Sequence, residues 1–245
     1  MKRSLLQLPF AAALVAVASS YAPPSSRVLP LTSFNASGSV GSLARASRSR
    51  ARGGGSDAAA VRRKLRDFGA GTYIDDILRS RDSALVRWPD RVTDPLRVWI
   101  QPTAAIQDFE PAFPGRVRSA FEAWQALHIP VRFVFVPDSA SADVHVTWVD
   151  HFDEEISGRT HWARDDHWWI TDANIVLAVH HNHGEALDNA AVRAMALHEV
   201  GHLLGLDHCQ DPSNIMAPTV HVRDLTAADR ATVRLLYSLP PGPVR

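Results

Sequence analysis

The stretch His198-Glu199-Val200-Gly201-His202-Leu203-Leu204-Gly205-Leu206-Asp207-His208 concentrates the residue types that hold a metal and move a proton. Two histidines four apart on a helix share one face, one turn above the other, so both imidazoles reach a single ion. Gly205 ends that helix, because without a Cβ it takes a positive φ and turns the chain sharply. His208 then returns as a third ligand, which a continuing helix would carry away. Three neutral nitrogens leave one position open, the arrangement of a catalytic zinc, whereas a structural site would be closed by a fourth side chain. Glu199, one residue after the first ligand, is directed at water in that open position and is placed to act as a general base. It would take the proton as water attacks a polarised carbonyl and return it to a leaving amine. The chemistry expected is amide hydrolysis.

These side chains need a scaffold, and the flanking sequence supplies one. Asp188 or Asn189 caps a helix running through Ala190 to Leu204, with Ala196, Leu197, Val200, Leu203 and Leu204 as its apolar side. Upstream, Pro95–Ile100 alternates like a half-buried strand, and Pro114 opens a helix whose Val117, Ala120, Phe121, Trp124 and Leu127 recur on one face. Val131–Val136 is β-prone, Asp143–Val149 puts Val144, Val146 and Trp148 on one side, and Asn174–Val179 reads as another strand. The polar, histidine- and tryptophan-rich stretch 150–187 otherwise shows little periodicity. Thr226 and Asp229 form a capping-box pattern ahead of a final helix that buries Val233, Leu236 and Tyr237. Strand, helix, strands and two closing helices predict an α/β domain.

Composition narrows the function classes. Of 245 residues, 46% are hydrophobic, and 26 basic residues balance 26 acidic ones, which argues against nucleic acid as a partner and against a disordered chain. No apolar run approaches a membrane span once the N-terminus is set aside. Lys2 and Arg3 ahead of the apolar stretch 5–18 and small residues after it predict a signal peptide over 1–22, hence a secreted, periplasmic or extracellular protein. Residues 23–56 are Pro-, Ser-, Arg- and Gly-rich and read as a flexible linker. Residues 57–85 read as a short helical extension or propeptide, with helices over Asp57–Phe68 and Ile74–Leu85, and 86–240 as the catalytic domain. The lone cysteine, Cys209, excludes an intrachain disulfide.

H-E-x-x-H-x-x-G-x-x-H followed by a methionine turn, Asn214-Ile215-Met216-Ala217-Pro218, resembles the metzincin zinc metalloproteases and, with His208-Cys209-Gln210-Asp211-Pro212, their matrixin branch. From about residue 86 to 238 the chain resembles a matrixin catalytic domain, of the kind without a cysteine switch. The resemblance implies a zincin-like domain with a twisted, mostly parallel sheet, an antiparallel edge strand, an active-site helix and a C-terminal helix. It implies His198, His202 and His208 as zinc ligands, Glu199 as catalytic base and Met216 beneath the metal, with a protein or peptide substrate lying extended along an edge strand. Departures matter too. Cys209 stands where that family usually has serine and is a packed residue rather than a fourth ligand, since adjacent side chains diverge. Pro218 excludes a tyrosine ligand two residues after Met216. His151-Phe152-Asp153 fits the first part of a second, structural zinc site, with His161 as a further ligand; solvated loop histidines, or calcium on the neighbouring acidic residues, are the alternatives. Trp162, Trp168 and Trp169 are candidates for a substrate subsite or for packing. The rival readings are a secreted pseudo-protease holding peptide or polysaccharide without cutting it, and a zinc-stabilised structural protein.

Overall fold

The computed structural model describes residues 58–244 and a two-residue strand, β1 (Leu14–Val15), which pairs antiparallel with β8 (Thr219–Val220). The signal-peptide and linker expectations otherwise lie outside the described residues. Among the described residues no helix is long and apolar enough to cross a membrane.

A five-stranded sheet forms from β3 (Arg91–Ile100), β4 (Val131–Phe135), β5 (Val144–Val149), β6 (Gly158–Arg164) and β7 (Ile170–Ala178), in the order β4-β3-β5-β7-β6. All neighbours are parallel except β6, which runs antiparallel to β7 at the edge. This is the mixed α/β architecture expected, mostly parallel with one antiparallel edge strand. In β5, Val144, Val146 and Trp148 are buried and alternate with half-buried residues, so its side chains divide between two faces of the sheet.

Helix α3 (Phe113–Gln125), with Pro114 in its first turn, lays Val117, Ala120, Phe121 and Trp124 on the interior. Helix α4 (Asn189–Leu203) is buried almost all round, which explains why its sequence shows no polar face. Its N-cap is Asp188, whose side chain accepts a hydrogen bond from the Ala191 amide at 2.6 Å. Trp124 locks the two helices together by donating its indole N–H to the Leu197 carbonyl at 2.9 Å. Helix α5 (Ala227–Ser238) opens with the full capping box of Thr226 and Asp229.

Two elements differ from the sequence expectation. The second N-terminal helix, α2 (Ile74–Ser80), stops before Leu85, because Asp82 and Ser83 adopt left-handed φ of 52° and 62° and end the helix. Ala84–Leu85 (β2) instead pairs antiparallel with β9 (Gly242–Pro243), near the far end of the chain. The other is the hairpin β6–β7, which fills much of the stretch without periodicity. Its turn is organised by Asp165, whose carboxylate accepts from the His167 and Trp169 amides, and by Trp168 at a left-handed φ of 68° under Arg164. A further helix, α1, spans 58–68.

Candidate metal centre

His198 and His202 project from the last turns of α4 and are both fully buried. The helix ends in a Schellman arrangement: the Gly205 amide donates to the His202 carbonyl at 2.9 Å and the Leu206 amide to the Gly201 carbonyl at 3.0 Å. Gly205 sits at φ +95°, and a Cβ on it would lie 2.2 Å from the Val86 carbonyl oxygen, so only glycine fits this turn. The reversal brings His208 back to the helix. The three Nε2 atoms then converge, at 3.0 Å for His198–His202, 3.2 Å for His198–His208 and 3.3 Å for His202–His208.

That triangle is chemically suited to a cation. The Nδ1 of His198 donates to the Ile215 carbonyl at 2.7 Å and the Nδ1 of His202 to the Leu206 carbonyl at 3.1 Å. A carbonyl only accepts, so the proton of each ring is on Nδ1 and the Nε2 lone pairs face the centre. Burial holds His198 down to about 3 and His202 and His208 below their ordinary range, so the rings stay neutral. Lone pairs this close repel unless a cation lies among them. Nitrogens about 2.0–2.1 Å from a tetrahedral zinc stand about 3.3–3.4 Å apart, close to the observed spacing. Among the described residues this is the only set of three or more His, Cys, Asp or Glu with ligand atoms within 4.8 Å of one another.

Glu199 is fully buried beside the trio. Its Oε2 accepts from the Thr160 hydroxyl at 2.6 Å, while Oε1 is buried with no hydrogen-bond partner. An unpaired buried carboxylate oxygen is costly and marks a place where a ligand or water belongs. Burial pushes the carboxyl up to about 8, against the opposing Thr160 hydrogen bond and the charge of Arg159. The Glu199 side chain rests on the backbone of Gly158, where a Cβ would lie 2.5 Å from Oε1. Gly158 and Thr160 both belong to β6, two residues apart and hence on one face. Neither was legible in the sequence, since the strand carrying them was not.

Met216 is buried, and its sulphur lies where a Cβ on Gly201 would be, 2.3 Å away, so the glycine lets α4 settle directly on the methionine. Its carbonyl accepts from the Cys209 amide at 3.0 Å. Cys209 is buried outside the histidine group, its thiol pushed up to about 11 by burial. His151, Asp153 and His161 are not brought together. His151 pairs with Asp150 at 2.8 Å, and His161, on β6, points to the opposite face from Thr160. Asp150 also binds His180, whose other ring nitrogen meets Asp108 at 3.1 Å. Trp162 and Trp168 line a cavity of about 560 Å³ with Arg81, Arg164 and Asp207, whereas Trp169 packs against Arg87.

Residues 149–238 match the Matrixin family. Over those residues the chain is similar to matrixins. It is 32% identical over 145 residues to metalloendoproteinase 1-MMP of Arabidopsis thaliana, covering 51% of this chain and 37% of that one. It is 31% identical over 156 residues to matrix metalloproteinase-15 of Homo sapiens (60% and 21%), and 29% over 135 residues to human matrix metalloproteinase-16 (44% and 20%). The chain therefore matches between about a fifth and somewhat over a third of the length of these relatives.

Proposed function

We propose that this protein is an exported zinc-dependent endopeptidase, with residues 86–240 as its catalytic domain. The observation that carries the reading is the convergence of three neutral Nε2 atoms within 3.3 Å of one another, beside a buried carboxylate with one unpartnered oxygen. His198, His202 and His208 hold the metal. Zinc held there would supply a Lewis acid for the scissile carbonyl and for activation of the attacking water.

The chain's own residues do the rest. Glu199 accepts the proton of the attacking water on Oε1, the oxygen left without a partner, while Thr160 fixes Oε2. Burial raises the Glu199 pKa, which makes the carboxylate a better acceptor of the water's proton, and the more basic leaving amine then takes that proton from it. Met216 and Gly201 set the floor under α4. β6 is the last strand of its sheet, so one edge of its backbone is open to pair with an extended peptide. Pairing there would draw the scissile bond past Gly158 and Thr160, the residues against which Glu199 rests.

The test is zinc content together with cleavage of an unfolded protein such as casein, comparing the protein with Glu199→Ala. Both should bind about one zinc, and the variant should lose about 10²–10⁴-fold in rate. Zinc in both with cleavage by neither would favour a peptide-holding pseudo-protease; absence of zinc would refute the site.

A further inference from the structure

The segment ahead of the catalytic domain makes a cluster of polar contacts with the loop that carries the third histidine. Arg81, at the C-terminal end of α2, reaches three groups there with its side chain only 10% exposed. Its Nε donates to Asp207 Oδ2 at 3.0 Å, one terminal nitrogen to the Gly205 carbonyl at 2.8 Å and the other to the Leu206 carbonyl at 3.0 Å. Gly205 makes the turn, Leu206 is the acceptor for the His202 ring, and Asp207 precedes His208 and accepts its amide at 2.8 Å. One guanidinium therefore supports the backbone behind two of the three imidazoles. Ser80 adds a hydrogen bond to Asp207 at 2.9 Å, and Asp76 accepts the Gln210 amide at 3.1 Å on the other side of His208.

Resting on the metal reading above, we infer that Arg81 is a positioning residue for the metal centre and that residues 74–88 remain with the active enzyme as a brace. A removable propeptide does not fit the packing. Ile74, Ile77, Leu85 and Trp88 are in the core, and Trp88 donates its indole N–H to the Leu203 carbonyl at 2.9 Å. Loss of the segment would leave the Gly205 and Leu206 carbonyls without their cationic donor and Asp207 without its partner. Three bonds in one plane suit a guanidinium and not an ammonium, which is a point charge.

The experiment uses the full chain as expressed. Zinc dissociation constants are measured by chelator competition, with the visible spectrum of the Co²⁺-loaded form and the Tm of the zinc-free form. Arg81→Ala should weaken zinc about 10–100-fold and shift the Co²⁺ bands. Arg81→Lys should recover only part of that loss. Ile77→Val, a change in the α2 core, should lower Tm and leave the zinc constant within about twofold. Zinc affinity and Co²⁺ spectrum of Arg81→Ala equal to the parent's would overturn the inference while leaving the metal site standing; a parent without zinc would remove both. Should Arg81→Ala not fold, Asp207→Asn carries the same test, with a several-fold weakening expected and an unchanged constant overturning. By mass, the active form should retain residue 81, and an active chain beginning after residue 88 would equally sink the brace.

Discussion

Gly158→Ala isolates the carboxylate without touching a ligand. A methyl group at 158 would lie 2.5 Å from Glu199 Oε1, 2.8 Å from its Cγ and 2.9 Å from its Cδ, and ordinary contact begins at 3.4 Å. The carboxylate must retreat by about 0.9 Å, the difference between 3.4 and 2.5 Å, or β6 must bow outward. The side chain is the softer of the two, but Thr160 grips Oε2 at 2.6 Å, so it can only swing by giving up that bond or its aim. A misplacement of about 1 Å at a reacting group costs up to about 10²-fold. The expected result is a kcat lower by about 10–100-fold, or about 1.4–2.7 kcal/mol of barrier, with KM little changed. Zinc content should stay at the parent level and Tm within about 5 °C, since the displaced group is one side chain. The assay is steady-state hydrolysis of a quenched fluorescent peptide alongside metal analysis. A zinc-loaded Gly158→Ala with kcat within about twofold of the parent would refute the placement of Glu199 as the proton carrier.

The remaining expectations are simpler. His202→Ala should lose both zinc and hydrolysis, and equal zinc content in that variant would count against the ligand assignment. Thr160→Val leaves Glu199 Oε2 without a donor in a buried site; it should cost about 1–3 kcal/mol in urea unfolding and about tenfold in kcat, with zinc retained. Gly205→Ala combines φ +95° with a Cβ 2.2 Å from the Val86 carbonyl, a clash of backbone with backbone, so unfolding in urea should show a loss of at least about 3 kcal/mol. An unchanged urea midpoint would mean the turn is not held as described.

What could be read from the sequence depended on periodicity and punctuation. β5 and α3 were legible because Val144, Val146 and Trp148 recur with period two and Val117, Ala120, Phe121 and Trp124 with the helical period. β6 was not, because its inward residues are Gly158 and Thr160, neither of them a large apolar marker. The turn after it gave no warning either. Its left-handed position is held by Trp168 rather than glycine, made tolerable by Asp165 and by the Arg164 guanidinium over the indole at 3.8 Å. The overlong helix at Ile74 failed for the same reason: Asp82 and Ser83 take left-handed φ where no glycine announces it.

At the site, local spacing revealed the three histidines that converge and concealed what aims them. His198, His202 and His208 lie within eleven residues, whereas the groups fixing their rings come from chain positions far apart. Asp229 shows how far this reaches. As sequence it is the third residue of a capping box, a signal for where α5 begins. In the fold its Oδ2 accepts from the Thr226 amide at 2.8 Å and also from the Ile215 amide at 3.1 Å, while Oδ1 accepts from the Tyr73 hydroxyl at 3.0 Å. The Ile215 carbonyl, on that same residue, is the acceptor that sets the His198 tautomer. A fully buried carboxylate is tolerable only when its oxygens are met by donors, and here every donor belongs to a different structural piece: the helix cap, the methionine turn and the N-terminal segment. Moving any one of them disturbs the charge that holds the other two. The position of His198 is therefore tied to α5 and to Tyr73, and the N-terminal segment reaches the three histidines from two sides, through Tyr73 toward His198 and through Arg81 toward His202 and His208.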